Sequence, residues 1–256
     1  MTVLIRAVLF DLGGTLMYSR DPWEPILERG YRALAESLCS QGFDLDRAKL
    51  PRNVRYHLDR YFARRDEDLF ETTYLAVLRE LLAERGYPDA DEKAIRRALD
   101  AFYTHTQPNW ILEEDTLLTL RTLEAGGYRL GLVSNAGDNQ DVFQLVERFQ
   151  IEPFFDFILT SAACSYRKPH PRIFELALAH WNIPPQEIAM VGDSLAADVR
   201  GAQELGLFTV WITRRVSKPA ARVAKSPKGE RSRSVQPDAA IRSLSELPAL
   251  LGHLAA

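Results

Sequence analysis

Cysteine is nearly absent from this sequence: its 256 residues include only Cys39 and Cys164, far apart and without zinc-site or disulfide-framework spacing. That excludes a disulfide-stapled secreted scaffold. Both thiols read as small apolar residues in a reducing, cytoplasmic setting. Long apolar runs are also missing. No stretch approaches the roughly 20 residues of a membrane-spanning helix, and the start, MTVLIRAVLFD, lacks the parts of a signal peptide. The expectation is a soluble chain with no membrane partner. Neither charge dominates, since 32 Lys and Arg oppose 35 Asp and Glu for a formal −3. What remains is a globular composition, 46% hydrophobic and 26% charged, enough for one large domain or a domain with an insertion.

The charge is unevenly placed. Between Arg214 and Arg233 eight basic residues (Arg214, Arg215, Lys218, Arg222, Lys225, Lys228, Arg231 and Arg233) oppose Glu230 alone, a local +7 among Pro219, Pro227, Gly229 and several serines. Residues 214–235 therefore read as a solvated, flexible basic loop. Clustered cations release counterions from phosphates, but this run lacks interleaved aromatics for base stacking, so a nucleic-acid partner is not expected.

Val3 to Phe10 is a short apolar run that stops at Asp11-Leu12-Gly13-Gly14, the pattern of a buried strand ending in a turn. From about Pro22 to His105 the texture is helical. Ile26, Leu27, Tyr31, Leu34 and Leu38 keep helical spacing, as do Leu69, Tyr74, Leu78, Leu81 and Leu82, and then Ile95, Leu99, Phe102 and Tyr103. Three or four helices fit there. Strand and helix then alternate: strands at 128–133, 155–160, 188–191, 208–212 and 239–241, and helices at 115–124 (capped by Asp115), 142–149, 171–180, 196–205 and 245–254. The pattern predicts an α/β fold. Its core is a Rossmann-like, doubly wound parallel sheet built from residues 1–18 and 107–256, with an all-helical cap, 19–106, inserted over the sheet edge where ligands collect.

Four strand ends on that edge carry polar residues: Asp11; Ser134-Asn135; Lys168, beyond the strand ending at Thr160; and Asp193, with Asp198 on the next turn. One task uses them all. A carboxylate that attacks phosphorus needs a nearby cation, and Mg²⁺ suits two carboxylates plus substrate oxygens. A lysine and hydroxyl or amide donors would hold the phosphoryl oxygens.

In this order the motifs resemble those of the haloacid dehalogenase (HAD) superfamily of hydrolases, in the subgroup with a helical cap inserted after the first motif. "VLFDLGGTL" is similar to its first motif, "LGLVSNAGD" to its second, "SYRKPHPRIFELAL" to its third and "MVGDSLAADVRGAQELGL" to its fourth. The resemblance implies Asp11 as nucleophile, Ser134 and Asn135 as phosphate-positioning residues, and Lys168 as the stabilising lysine. It also implies Mg²⁺ held by Asp11, Asp193, Asp198 and the backbone carbonyl of Gly13, a small phosphorylated substrate, and a monomer or homodimer.

Gly13 departs from the pattern. Phosphatases of the superfamily usually carry there a second aspartate that protonates the leaving alcohol. General acid help is worth about 10² to 10⁴ in rate, roughly 3–5 kcal/mol, and its loss should weigh most on alkyl phosphates. Asp138, Tyr18, Asp21, His57 and His105 are the candidates to replace it. The alternatives are a phospho-ligand-binding regulator with little turnover, a metal-free dehalogenase and a phosphonate hydrolase. The Gly192-Asp193 turn disfavours the dehalogenase, and the polar surroundings of the cap lysines, Lys49 and Lys93, disfavour the phosphonate hydrolase.

Overall fold

The computed structural model describes residues 4–215 and 235–254. Its centre is a strand with no polar residue, β1 (Ala7–Phe10), buried along its whole length. A strand buried on both faces belongs in the middle of a parallel sheet. The sheet has six parallel strands in the order β5-β4-β1-β6-β7-β8, where β4 is Arg129–Ser134, β5 Phe157–Thr160, β6 Ile188–Gly192, β7 Phe208–Ile212 and β8 Ala239–Ile241. Phe10 pairs with Leu132 on one side and Val191 on the other. Successive strands therefore run outward from β1 in opposite directions, which opens a crevice at the C-terminal ends of β4, β1 and β6.

Two more strands, β2 (Met17–Ser19) and β3 (Trp110–Leu112), pair antiparallel as a short ribbon, Met17 opposite Leu112 and Ser19 opposite Trp110. Between them the chain forms α1 (Trp23–Ser40), α2 (Leu50–Asp68), α3 (Tyr74–Glu84) and α4 (Glu92–Thr106). Thr73 caps α3 and Asp91 caps α4 through side-chain oxygens, as polar N-cap residues do. The four helices bury a cluster of their own, including Leu34, Leu38, Val54, Leu78, Leu81, Ile95, Leu99 and Phe102. The surface of α2 is strongly polar, and its apolar contacts come from Leu50, Val54, Leu58 and Tyr61, one per turn.

The remaining helices flank the sheet: α5 (Thr116–Ala125), α6 (Asn139–Arg148), α7 (Ser161–Cys164), α8 (Pro171–Leu178), α9 (Arg200–Gln203) and α10 (Leu247–Leu254). Separate buried clusters cover its two faces, one around Phe10, Leu132 and Val191 and the other around Leu9, Val133 and Phe174. Among the described residues no helix is long and apolar enough to cross a membrane.

Two expectations need correction. Asp115 precedes α5 but makes no capping bond; its carboxylate instead accepts from Arg214 and from the Ser245 amide. The first two residues of the basic segment are also anchored by acidic partners, although Arg215 stays partly exposed. Arg214 also reaches Glu113, and Arg215 both pairs with Glu113 and lies over the Tyr18 ring, 3.6 Å from its centroid. The other six basic residues, Lys218 to Arg233, lie outside the described residues.

Candidate active site

Asp11 is the first residue past β1, and its amide donates to Val191 O at 2.9 Å, so the neighbouring strand fixes where its carboxylate points. Lys168 comes from the loop before α8 and is almost fully buried. Its Nζ donates to Asp11 Oδ1 and to Val133 O, both at 2.7 Å, and stands 2.7 Å from Asp198 Oδ1. Burial opposes the lysine's charge, yet Asp11 and Asp198 hold its pKa above the ordinary value. Asp193 follows β6, and Asp198 lies in a π-helical turn, Leu195–Val199, where its Oδ2 accepts from the Ser194 amide.

Two glycines make this convergence possible. Gly14 has φ +92°, and a Cβ there would come within 2.4 Å of Asp193 Oδ2; one at Gly192 would come within 2.3 Å of the Asp198 carboxyl carbon. Each absent side chain is the space a carboxylate occupies.

Carboxylate oxygens of Asp11, Asp193 and Asp198 lie within 4.8 Å of one another, with Lys168 as the cation paired to Asp11 and Asp198. The imbalance shows in their proton affinity. Burial and the Asp11 charge push Asp193 up to about 7, and burial pushes Asp198 up to about 6 against the pull of Lys168. A hard divalent cation bound by oxygens matches this surplus of buried negative charge.

A cavity of about 380 Å³ opens over this cluster and is lined by Asp11, Gly13, Ser134, Asn135, Lys168, Asp193 and Asp198 together, so the structure gathers every candidate site residue in one place. Ser134 is buried in its lining, and its hydroxyl makes no hydrogen bond with the described residues. Asn135 is engaged differently from what the resemblance implies. Its amide nitrogen donates to Lys168 O at 2.9 Å and its oxygen accepts from Lys168 N at 2.8 Å, a reciprocal pair that fixes the lysine's backbone.

The suggested substitutes for an acid at position 13 fare poorly. Asp138 lines the cavity, but its carboxylate is held by Arg96, by Tyr103 Oη at 2.9 Å and by the Gln140 amide. Tyr18, Asp21, His57 and His105 do not line it: Tyr18 lies under Arg215, Asp21 pairs with Arg20, His57 lies beside Glu84 and His105 is exposed.

Several lining residues escaped sequence reasoning. Asp141, in the first turn of α6, accepts from Gln107 at 2.9 Å; burial, reinforced by Asp138, pushes it up to about 6. Trp110 arrives from β3, Arg65 and Tyr74 from the helical insertion, and Arg167 from beside Lys168. Arg167 pairs with fully buried Glu71, which also takes Ser161 Oγ at 2.5 Å and Tyr61 Oη. Backbone bonds run alongside, from Glu71 N to Ser165 O and from Arg167 N to Leu69 O, so this network joins the insertion to the sheet. The one available signal was Arg167 beside Lys168.

An aspartate at a strand end, a buried lysine paired to it, a carboxylate cluster and a helical insertion after the first strand match a class of hydrolase. The sequence matches the haloacid dehalogenase-like hydrolase family over residues 5–206, and the chain belongs to that family. It is 30% identical to the ribulose-1,5-bisphosphate 5-phosphatase of Halopiger xanaduensis, over 97% of this chain and 100% of that one. It is also 30% identical to the glyceraldehyde 3-phosphate phosphatase of Pyrococcus abyssi, over 82% of each. Among solved structures it resembles a HAD phosphatase from Thermococcus onnurineus, with a TM-score of 0.63 and 25% identity over 97% of this chain and 98% of that one.

Proposed function

We propose that this protein is a Mg²⁺-dependent phosphatase of a small phosphorylated metabolite, working through an aspartyl-phosphate formed on Asp11. The observation that carries the reading is the placement of Asp11 Oδ1 against Lys168 Nζ at 2.7 Å inside the carboxylate cluster, a set that mere phosphate binding does not require. The names of the relatives support a phosphorylated sugar or similar metabolite as the substrate class.

Asp11, Asp193 and Asp198, with the Gly13 carbonyl, would hold Mg²⁺, which when bound neutralises charge between carboxylate and phosphate. The remaining work falls to the chain. Lys168 pairs with Asp11 and orients its carboxylate, and its charge faces the phosphoryl oxygens. Asn135 positions Lys168, and the Ser134 hydroxyl donates to a phosphoryl oxygen. Asp11 attacks phosphorus, the ester oxygen leaves with the bonding pair, and water then cleaves the acyl phosphate. Residues 19–106 serve as a cap over the core formed by 1–18 and 107–256; the separate hydrophobic cluster of the helices and the two-stranded ribbon at their base support this division.

Steady-state hydrolysis of 4-nitrophenyl phosphate with and without Mg²⁺ tests the reading. Metal-dependent turnover that falls about 10⁴-fold or more in Asp11→Asn is expected. Phosphate-ester binding with no turnover, unchanged by that substitution, would instead make the protein a regulator.

A further inference from the structure

Gly13 leaves a gap in the catalytic chemistry but not in space. A Cβ built there would lie 3.1 Å from Cη2 of Trp110 and 3.5 Å from Cζ3, so the edge of the indole stands where a side chain at position 13 would emerge. Trp110 is held from two directions. Its backbone is in β3, opposite Ser19, and its ring packs on Trp23 with centroids 5.1 Å apart at 60°. The indole lines the same cavity as Asp11, Met17, Val142 and Leu145. An apolar aromatic surface thus borders the nucleophile on the side where an acid would otherwise reach the leaving oxygen.

We propose that Trp110 is the specificity-determining residue for the leaving group, selecting phosphate esters with a planar, unsaturated or aromatic part next to the ester oxygen. This deepens the phosphatase reading and rests on it. Without an acid at position 13, the P–O bond breaks with its electron pair on an oxygen that departs unprotonated and takes its proton later from water. Phenolate-like and enolate-like groups bear that charge best, because it is delocalised. They are also planar, so the same feature that lets them leave unaided lets them lie against an indole. One residue type missing and one ring in its place favour the same substrates.

Planarity and leaving ability can be separated experimentally. Benzyl and cyclohexylmethyl phosphate both release a primary alkoxide and differ mainly in whether the ring is flat. Wild type is expected to favour benzyl phosphate in kcat/KM by about three- to tenfold, the range of an aromatic contact. Trp110→Phe should keep that preference, and Trp110→Leu and Trp110→Met should bring it close to unity. Circular dichroism spectra and thermal melts matching those of wild type show that a variant is folded.

A second arm tests the shared space. Gly13→Asp should raise cyclohexylmethyl phosphate turnover little on its own, because its Cβ meets the indole, and by about tenfold or more when combined with Trp110→Leu. No benzyl preference in wild type, a preference that survives Trp110→Leu, or an equal gain from Gly13→Asp in both backgrounds overturns the proposal. If no ester is hydrolysed in an Asp11-dependent way, the phosphatase reading itself falls. Turnover of 4-nitrophenyl phosphate without ring preference removes only the role of Trp110.

Discussion

Two buried ionic clusters border the same cavity, and they are balanced differently. Around Asp11 three carboxylates share Lys168, and two of them are pushed far up in pKa. Around Glu71 one carboxylate meets Arg167, with Tyr61 and Ser161 donating as well and Arg65 at 4.0 Å. The second cluster gives its one carboxylate a guanidinium and two hydroxyl donors, although burial still raises the Glu71 pKa, and it joins the insertion to the sheet-bearing part. The first gathers more negative charge at the cavity wall than Lys168 balances. Buried charge alone therefore does not mark a site; buried imbalance does.

Loss of Lys168 should upset the first cluster most. Lys168→Met should lower turnover by at least about 10³-fold. It should also destabilise the metal-free protein by about 3–5 kcal/mol, because the carboxylates lose their counter-charge. Thermal melts should show Mg²⁺ restoring part of that stability but none of the activity.

Glu71→Gln comes next. Leaving Arg167 buried without its partner should cost about 3 kcal/mol in urea unfolding, and Mg²⁺ should leave that loss unchanged. If Mg²⁺ repairs the Glu71 variant as well as the Lys168 variant, the two clusters are not distinct.

Asp141 gives a smaller, pH-dependent effect. Its folded pKa of about 6 lies above the ordinary 3.8, so the folded state binds this proton more tightly than the unfolded state. Stability from this group is therefore present below about pH 4, is lost as pH rises to about 6, and stays lost above. Asp141→Asn lacks the penalty. Relative to wild type its unfolding free energy should rise by about 2–3 kcal/mol between pH 4 and pH 7, and a flat difference across that window would remove Asp141 as a buried titrating group.

Arg215→Gln should do least. Arg215 is partly exposed and shares Glu113 with Arg214, so its loss should cost about 0.5–1 kcal/mol, less in high salt.

Much of this was legible because the chemistry sits where strands end. Apolar runs followed by Asp11, Ser134 and Asp193 marked the edge of the sheet, and the strands at 208–212 and 239–241 fall at the expected residues. β2 and β3 were invisible, because three residues carry no period and their partners are more than 90 positions apart. Trp110 escaped for the same reason: its relation to Gly13 exists only once that ribbon forms. Asp141 looked like an ordinary first-turn acid of a helix, and nothing local reveals that Gln107 and the cavity wall bury it. The basic segment misled through composition. Eight cations in twenty residues read as solvated, but Glu113 and Asp115, about a hundred positions earlier, take the first two.

The ribbon of β2 and β3 also bears on how this chain can be rebuilt. Because Ser19 and Trp110 are paired neighbours, the segment between them leaves and rejoins the sheet-bearing part through adjacent points. Joining those points with a two-residue turn would make an ordinary hairpin, with little loop-closure entropy to overcome. The chain path into the helical module thus runs through a single doorway, while the Glu71–Arg167 network and its backbone bonds tie that module to the sheet-bearing part elsewhere. Trp110 stands on the threshold and would remain when the module is replaced.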